Sequence, residues 1–357
     1  MKSALFSPFT LRDLKLDNRI VVSPMCQYSA TDGNATDWHL MHLGQYSVSG
    51  AGLVITEATA VESRGRISYG DLGLYSNENE EAFERIIKFF RHYGSARIGV
   101  QLAHSGRKGS DNLPWKMNNG PLGLPEGAWK TVAPSALSYN DGWPAPKALD
   151  ATGLAEVKKA FVDGVKRAAR LGFDLVELHS AHGYLLHQFL SPLSNQRTDE
   201  YGGSLTNRMR FPLEVFSAVR EVWPERKPLG VRISASDYAA GGWTITDSLV
   251  YASELKKRGC DYIDVSGGGL VPYQETPVGP GYQVRFSEVI RKETGVPTMA
   301  VGMITKPVQA EEIISTGKAD MVALGRAMLY DTRWAWHAAS ELGAEAKYPR
   351  QYLMCKP

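Results

Sequence analysis

Two histidines three residues apart, with a tyrosine close behind, stand in the stretch His179-Ser180-Ala181-His182-Gly183-Tyr184. Such a set can do one of three things. Neutral imidazoles ligate metals, yet no carboxylate or thiol lies in the same loop beyond Glu177, two residues earlier, so the expected metal complement is none. Both rings can be satisfied structural histidines. Or both can donate hydrogen bonds to one developing oxyanion, with the Tyr184 phenol as the proton source.

The elements that must position these side chains are legible as short apolar runs alternating with amphipathic stretches. The spacing predicts strands over Ile20–Ser23, Leu53–Glu57, Ile98–Leu102, Leu175–His179, Gly230–Ser234, Tyr262–Ser266, Thr298–Val301 and Met321–Leu324. Helices are expected over Glu81–His92, Leu154–Leu171, Asn207–Val222, Asp247–Arg258, Arg285–Glu293 and Lys306–Ser315. Continuously apolar strands suit a parallel sheet buried on both faces, and eight of them with intervening helices match an α/β (β/α)₈ TIM barrel. A doubly wound open sheet is the competing topology. Residues 1–357 are read as a single domain, with one long irregular excursion rich in Gly, Pro and Trp at 112–146. Loops of that length usually serve function, and a surface insertion or subunit contact is the plainer alternative.

In such barrels the site forms at the C-terminal strand ends, and polar residues recur there. The first strand runs into Ser23-Pro24-Met25-Cys26-Gln27-Tyr28, the second into Glu57-Ala58-Thr59-Ala60, and the third into Gln101-Leu102-Ala103-His104. The fifth carries Arg232, and the seventh and eighth end in Gly302 and Gly325-Arg326. Glycines after strands seven and eight let backbone N–H groups approach a phosphate, and Arg326 adds a charged fork. Cys26 is read as an inert thiol; a nucleophile would need an adjacent base and a depressed pKa.

Bulk properties narrow the classes. Of 357 residues, 43% are hydrophobic and 22% charged, and the net charge of +2 offers no footprint for nucleic acid or an anionic membrane. Three scattered cysteines, Cys26, Cys260 and Cys355, are too few for a disulfide framework or an iron–sulfur cluster. The N-terminus lacks an apolar leader and no run of about 18 apolar residues occurs, so the cytoplasm is the expected address.

The run from Ser23 to Tyr28, the stretch from Val176 to Pro192, and Asn195-Gln196-Arg197-Thr198-Asp199-Glu200-Tyr201-Gly202-Gly203-Ser204 continuing into Asn207-Arg208-Met209-Arg210-Phe211 closely resemble the old yellow enzyme family. Cysteine at position 26 and His-x-x-His at 179–182 resemble its bacterial YqjM and xenobiotic reductase A subgroup. The resemblance runs from Leu5 to about Trp334.

It implies a non-covalent FMN, reduced by NADPH or NADH, in an ene-reductase that works by a ping-pong cycle on enones, nitroalkenes and related xenobiotics. On the matching positions, Ser23, Pro24, Met25, Cys26, Ala60, Gln101 and Arg232 would contact the flavin ring and ribityl chain. Gly302, Gly325 and Arg326 would hold its phosphate. His179 and His182 would bind the substrate oxygen, Tyr184 would deliver the proton, and Tyr28 would orient substrate. The expected assembly is a homodimer or homotetramer. The tail from about residue 343 contains Arg350 and Tyr352, and whether it reaches a neighbouring site is open. The alternatives are a non-catalytic flavin- or phosphate-binding barrel, and a dienoyl-CoA-reductase-like enzyme lacking its iron–sulfur region.

Overall fold

The computed structural model describes residues 3–116 and 120–356; the chain ends and residues 117–119 of the expected excursion lie outside the described residues. Eight parallel strands close into a barrel in chain order, as the alternating pattern predicts. They are β1 (Ile20–Val22), β2 (Leu53–Ala60), β3 (Arg97–Ala103), β4 (Leu175–Ser180), β5 (Leu229–Ser234), β6 (Tyr262–Ser266), β7 (Thr298–Ala300) and β8 (Met321–Leu324). β8 pairs with β1 to complete the ring. The competing open sheet is excluded.

Alternation along each strand sorts the side chains. On β4, Val176 and Leu178 join the apolar cluster beneath the surrounding helices, whereas Leu175 packs with Tyr262, Met299 and Met321 inside the barrel. Glu177 and His179 follow Leu175 at the same period and so climb the interior wall. The helices outside are α1 (Asp37–Ser47), α2 (Asn77–Tyr93), α3 (Ala151–Leu171), α4 (Leu185–Leu190), α5 (Leu205–Val222), α6 (Ile245–Lys257), α7 (Val284–Thr294), α8 (Pro307–Ser315), α9 (Arg326–Tyr330) and α10 (Trp334–Glu341). Their starts follow side-chain chemistry: Ser76, Asp150, Ser204 and Thr244 each accept a first-turn backbone N–H.

Four features depart from expectation. Strand β2 runs three residues past Glu57, with a shift in register between Ile55 and Ala58 that lengthens it toward the rim. Helix α1 lacks a clean apolar stripe, because His39, His42 and Tyr46 are buried beside Leu43. An antiparallel hairpin, Phe9–Leu11 with Leu14–Leu16, precedes the barrel. Its Leu11, Leu14 and Leu16 pack on the interior cluster of Val21, Leu53 and Met321, and Arg12 Nε pins its turn to Asp261 at 2.6 Å. Finally, the excursion is not wholly irregular, since Val132–Ala133 pairs with Lys147–Ala148. Arg107, at the β3 end, donates to the Ser138 carbonyl at 3.2 Å and ties it to the rim.

Candidate active site

β4 ends at Ser180, and the chain turns through left-handed backbone at His182 (φ +56°) and Gly183 (φ +74°). Polar groups from several strand ends hold that turn. The His182 N–H donates to Ser234 Oγ at 2.9 Å, and the Gly183 N–H donates to His187 Nδ1 at 2.9 Å. His187 Nε2 in turn lies 2.8 Å from the buried Asp237 carboxylate. Lys108, just beyond β3, donates to the carbonyls of His182 at 2.9 Å and Gly269 at 2.8 Å.

The turn brings three rings together. The His179 and His182 centroids are 5.1 Å apart, and Tyr184 meets His179 edge-on at 4.9 Å. The nitrogens differ in their commitments. His179 Nδ1 accepts the Ala181 N–H at 3.2 Å, which places the ring proton on Nε2. His182 Nε2 instead lies 2.6 Å from Ser266 Oγ.

Burial, reinforced by the charge of Arg232, lowers both histidines well below the usual imidazole range, so the rings are neutral at physiological pH. Burial pushes the Tyr184 phenol well above its ordinary value, so it keeps its proton. Burial and then the Arg107 charge bring Lys108 down to about 8; its ammonium sits 5.1 Å from the Tyr184 ring centroid. Two neutral donors and a neutral phenol beside them can grip an oxygen and deliver a proton. Burial, then the neighbouring Asp71 and Glu57, push the Cys26 thiol up, the opposite of an activated nucleophile. Tyr28, in left-handed backbone at φ +51°, packs edge-on against Trp115 of the excursion at 5.8 Å.

Next to these rings opens a cavity of about 390 Å³, lined among others by Arg232, Ser266, Gln283, Gly302, Gly325 and Arg326. Four residues proposed from sequence therefore share one hollow. Gly302 is needed there: at φ +124°, a Cβ would come within 3.0 Å of Gln283 Nε2. Among the described residues, Gln283 Oε1 is buried without a partner, and Arg232 reaches Asp264 alone, with Nε 3.0 Å from Oδ2. A glycine-floored hollow with unpaired polar atoms, an exposed arginine at its mouth and a buried one inside fits an anionic, polyhydroxylated cofactor such as FMN.

The remaining expected contacts surround it. Ser23 N–H bonds to the Leu324 carbonyl at 3.0 Å, joining β1 to β8. The nearest atom to a Cβ built on Gly325 is Met25 Sδ, at 3.7 Å. Pro24 and Cys26 flank Met25 in the same half-buried run. Ala60 spends its backbone N–H on the Leu72 carbonyl at 2.8 Å, and Gln101 bonds to Glu177 inside the barrel. Sequence reasoning missed Lys108, Ser266 and Gln283. Ser266 was legible as a polar strand end and links the two halves, facing His182 while lining the cavity. The others sit in loops without a motif. Arg350 and Tyr352 lie in a short exposed turn packed on the same chain, where Arg333 stacks over Trp336 at 4.6 Å and Tyr352 at 5.4 Å.

A closed parallel barrel, a cofactor hollow after its last two strands and neutral donors at the fourth define a cofactor-dependent barrel enzyme. Residues 4–345 match the NADH:flavin oxidoreductase / NADH oxidase family. The sequence is 46% identical over 354 residues to the NADPH dehydrogenase of Geobacillus thermodenitrificans, covering 99% of this chain and 98% of the relative. It is 43% identical over 354 residues to the NADPH dehydrogenase of Bacillus subtilis, covering 99% of each. Morphinone reductase superposes with a TM-score of 0.78 at 27% identity over 98% of this chain and 92% of that one. A 2-naphthoyl-CoA reductase shares the fold, with a TM-score of 0.84 at 21% identity over 96% of this chain and 52% of that one. The chain belongs to the NADH:flavin oxidoreductase family, as its likeness to old yellow enzymes implies, and is an FMN-dependent NADPH oxidoreductase.

Proposed function

We propose that the chain is an ene-reductase that saturates activated carbon–carbon double bonds of enones, nitroalkenes and related xenobiotics. The observation that carries this reading is the meeting of His179, His182 and Tyr184, all uncharged, within about 5 Å ring to ring. FMN, when bound, would supply the hydride-transfer chemistry that links NADPH to the alkene.

The protein's own residues do the rest. His179 Nε2–H and the His182 ring hold the substrate's carbonyl or nitro oxygen, which draws electron density from the β-carbon. Tyr184 gives its phenolic proton to the α-carbon and recovers one from solvent. Tyr28 lines the opening beside Trp115 and orients the substrate. Gly302, Gly325 and Arg326 would hold the cofactor phosphate; Ser23, Pro24, Met25, Cys26, Ala60, Gln101 and Arg232 would line its ring and ribityl chain. Arg232 would set its positive charge against the cofactor ring and so favour the ring's reduction. The whole chain serves as one FMN-binding unit, acting in the cytoplasm as a homodimer or homotetramer.

The test is anaerobic. Enzyme reduced by one equivalent of NADPH is mixed in stopped flow with 2-cyclohexenone or maleimide, and flavin reoxidation is followed. Reoxidation no faster than in buffer, while quinones still reoxidise it, would sink the ene-reductase reading.

A further inference from the structure

Two residues before His179 on the same face of β4, Glu177 stands in a buried polar cluster of the barrel interior and has no place in the chemistry above. Glu177 on β4, Arg232 on β5 and Asp264 on β6 are all buried. The register stacks them: Gln101 on β3 is the Cα partner of Glu177, and Arg232 is the partner of both His179 and Asp264. Gln101 Nε2 donates to Glu177 Oε1 at 2.8 Å, and the Tyr262 hydroxyl lies 3.0 Å from Glu177 Oε2. Gly230 leaves room for that phenol, since a Cβ there would meet the Tyr262 ring at 2.2 Å. Arg232 Nε lies 3.0 Å from Asp264 Oδ2, and neither Asp264 oxygen accepts a hydrogen bond among the described residues.

The charges do not balance if both acids are ionised. One guanidinium serves two fully buried carboxylates, and a net buried charge is costly enough that such a pair retains a proton. Gln101 from β3, Arg232 from β5, and Tyr262 and Asp264 from β6 are the polar groups facing Glu177, and Arg232 is the only cation among them. Burial and then the Asp264 charge bring Glu177 up to about 8, and burial raises Asp264 as well. Of the two, Asp264 lies against the cation at 3.0 Å, whereas among the described residues Glu177 has for hydrogen-bonding partners the uncharged Gln101 and Tyr262 and makes no ion pair.

We propose that Glu177 is a positioning residue held as a neutral carboxylic acid, which clamps the Gln101 amide and leaves Asp264 as the sole counter-ion of Arg232. The Gln101 Nε2 is thereby committed downward, and its Oε1 stays free for an N–H donor above. Arg232 keeps a larger share of its positive charge than it would beside two carboxylates. The proposal rests on Gln101 and Arg232 facing the FMN ring.

The test uses holoenzyme of the wild type, Glu177→Gln and Glu177→Ala. Infrared spectra at pH 7 should show the carbonyl stretch of a buried protonated carboxylic acid in the wild type, missing from Glu177→Gln. The flavin midpoint potential of the wild type should match that of Glu177→Gln at pH 7, then fall below it as pH rises through about 8 and Glu177 ionises. Glu177→Ala, which releases the amide, should lose FMN about tenfold more readily, and Glu177→Gln should restore retention. Absence of the infrared band, or potential curves for wild type and Glu177→Gln that run parallel through this range, overturns the proposal. The infrared arm reports on the acid itself. A wild-type protein that shows the band yet retains no flavin would instead overturn the placement of Gln101 and Arg232 at the cofactor.

Discussion

His182 Nε2 lies 2.6 Å from the Ser266 hydroxyl, while His179 Nε2 makes no hydrogen bond among the described residues. The two imidazoles therefore do not offer the same nitrogen to a ligand, and Ser266 decides which way the His182 ring faces. Ser266→Ala should free that ring at the cost of one hydrogen bond, about 0.5–1.5 kcal/mol. The KM for an enone should rise several-fold with flavin reduction by NADPH unchanged, as steady-state and half-reaction kinetics would reveal.

Among the described residues His179 keeps an unopposed N–H on Nε2, which on the proposed reading would meet the substrate oxygen. Its removal in His179→Ala should weaken binding of a phenolate charge-transfer ligand by roughly 10- to 100-fold, as expected for a hydrogen bond to a charged group. Because burial keeps both rings neutral, wild-type affinity for a non-ionising enone should be flat between pH 6 and 8. A titration monitored by the long-wavelength absorbance band checks the first expectation, and one with cyclohexenone checks the second. Unchanged phenolate affinity would remove His179 from the oxygen-binding role.

Tyr184→Phe keeps the ring that packs on His179 but loses the proton. The alkene half-reaction should slow by about 10²- to 10⁴-fold, the usual worth of a general acid, with the NADPH half-reaction intact. Equal losses in both halves would mark Tyr184 as a packing residue.

Cys26 should resist alkylation. Its thiol is held protonated by burial and by Asp71 and Glu57, so iodoacetamide at pH 8 should modify exposed Cys355 first and leave turnover intact. Cys26→Ser should shift the flavin potential yet remain active. Complete inactivation by either route would restore the nucleophile reading.

Asp71 links stability to pH. Burial, then the Glu57 charge, raise it from 3.8 to about 7, so between these values the folded state binds a proton that the unfolded chain has released. Its contribution is full below the unfolded value and is lost as pH rises toward 7. Asp71→Asn should make the urea midpoint less dependent on pH from 4 to 7. An unaltered slope would show that Asp71 is ionised throughout.

The barrel was legible because its strands are buried on both faces and so read as unbroken apolar runs, as Leu175 to Leu178 does apart from one glutamate. Only closure of the barrel brings that glutamate against Tyr262, 85 residues away in sequence. One wall of the cavity was readable from Gly302, where a backbone requirement leaves a mark in the sequence. Lys108 and Gln283 left none, since a lone lysine or glutamine outside the strands has no period and no partner until the chain is folded. The hairpin at Phe9–Leu16 escaped because strands three residues long carry too little alternation to register.

That hairpin has a functional consequence. With Leu11, Leu14 and Leu16 stoppering the floor of the barrel, the interior, among the described residues, is approached from the rim where the strands end. On the proposed reading, a nicotinamide donor and an alkene acceptor would use the same doorway, each waiting for the other to leave, so an excess of either should slow the other's turn.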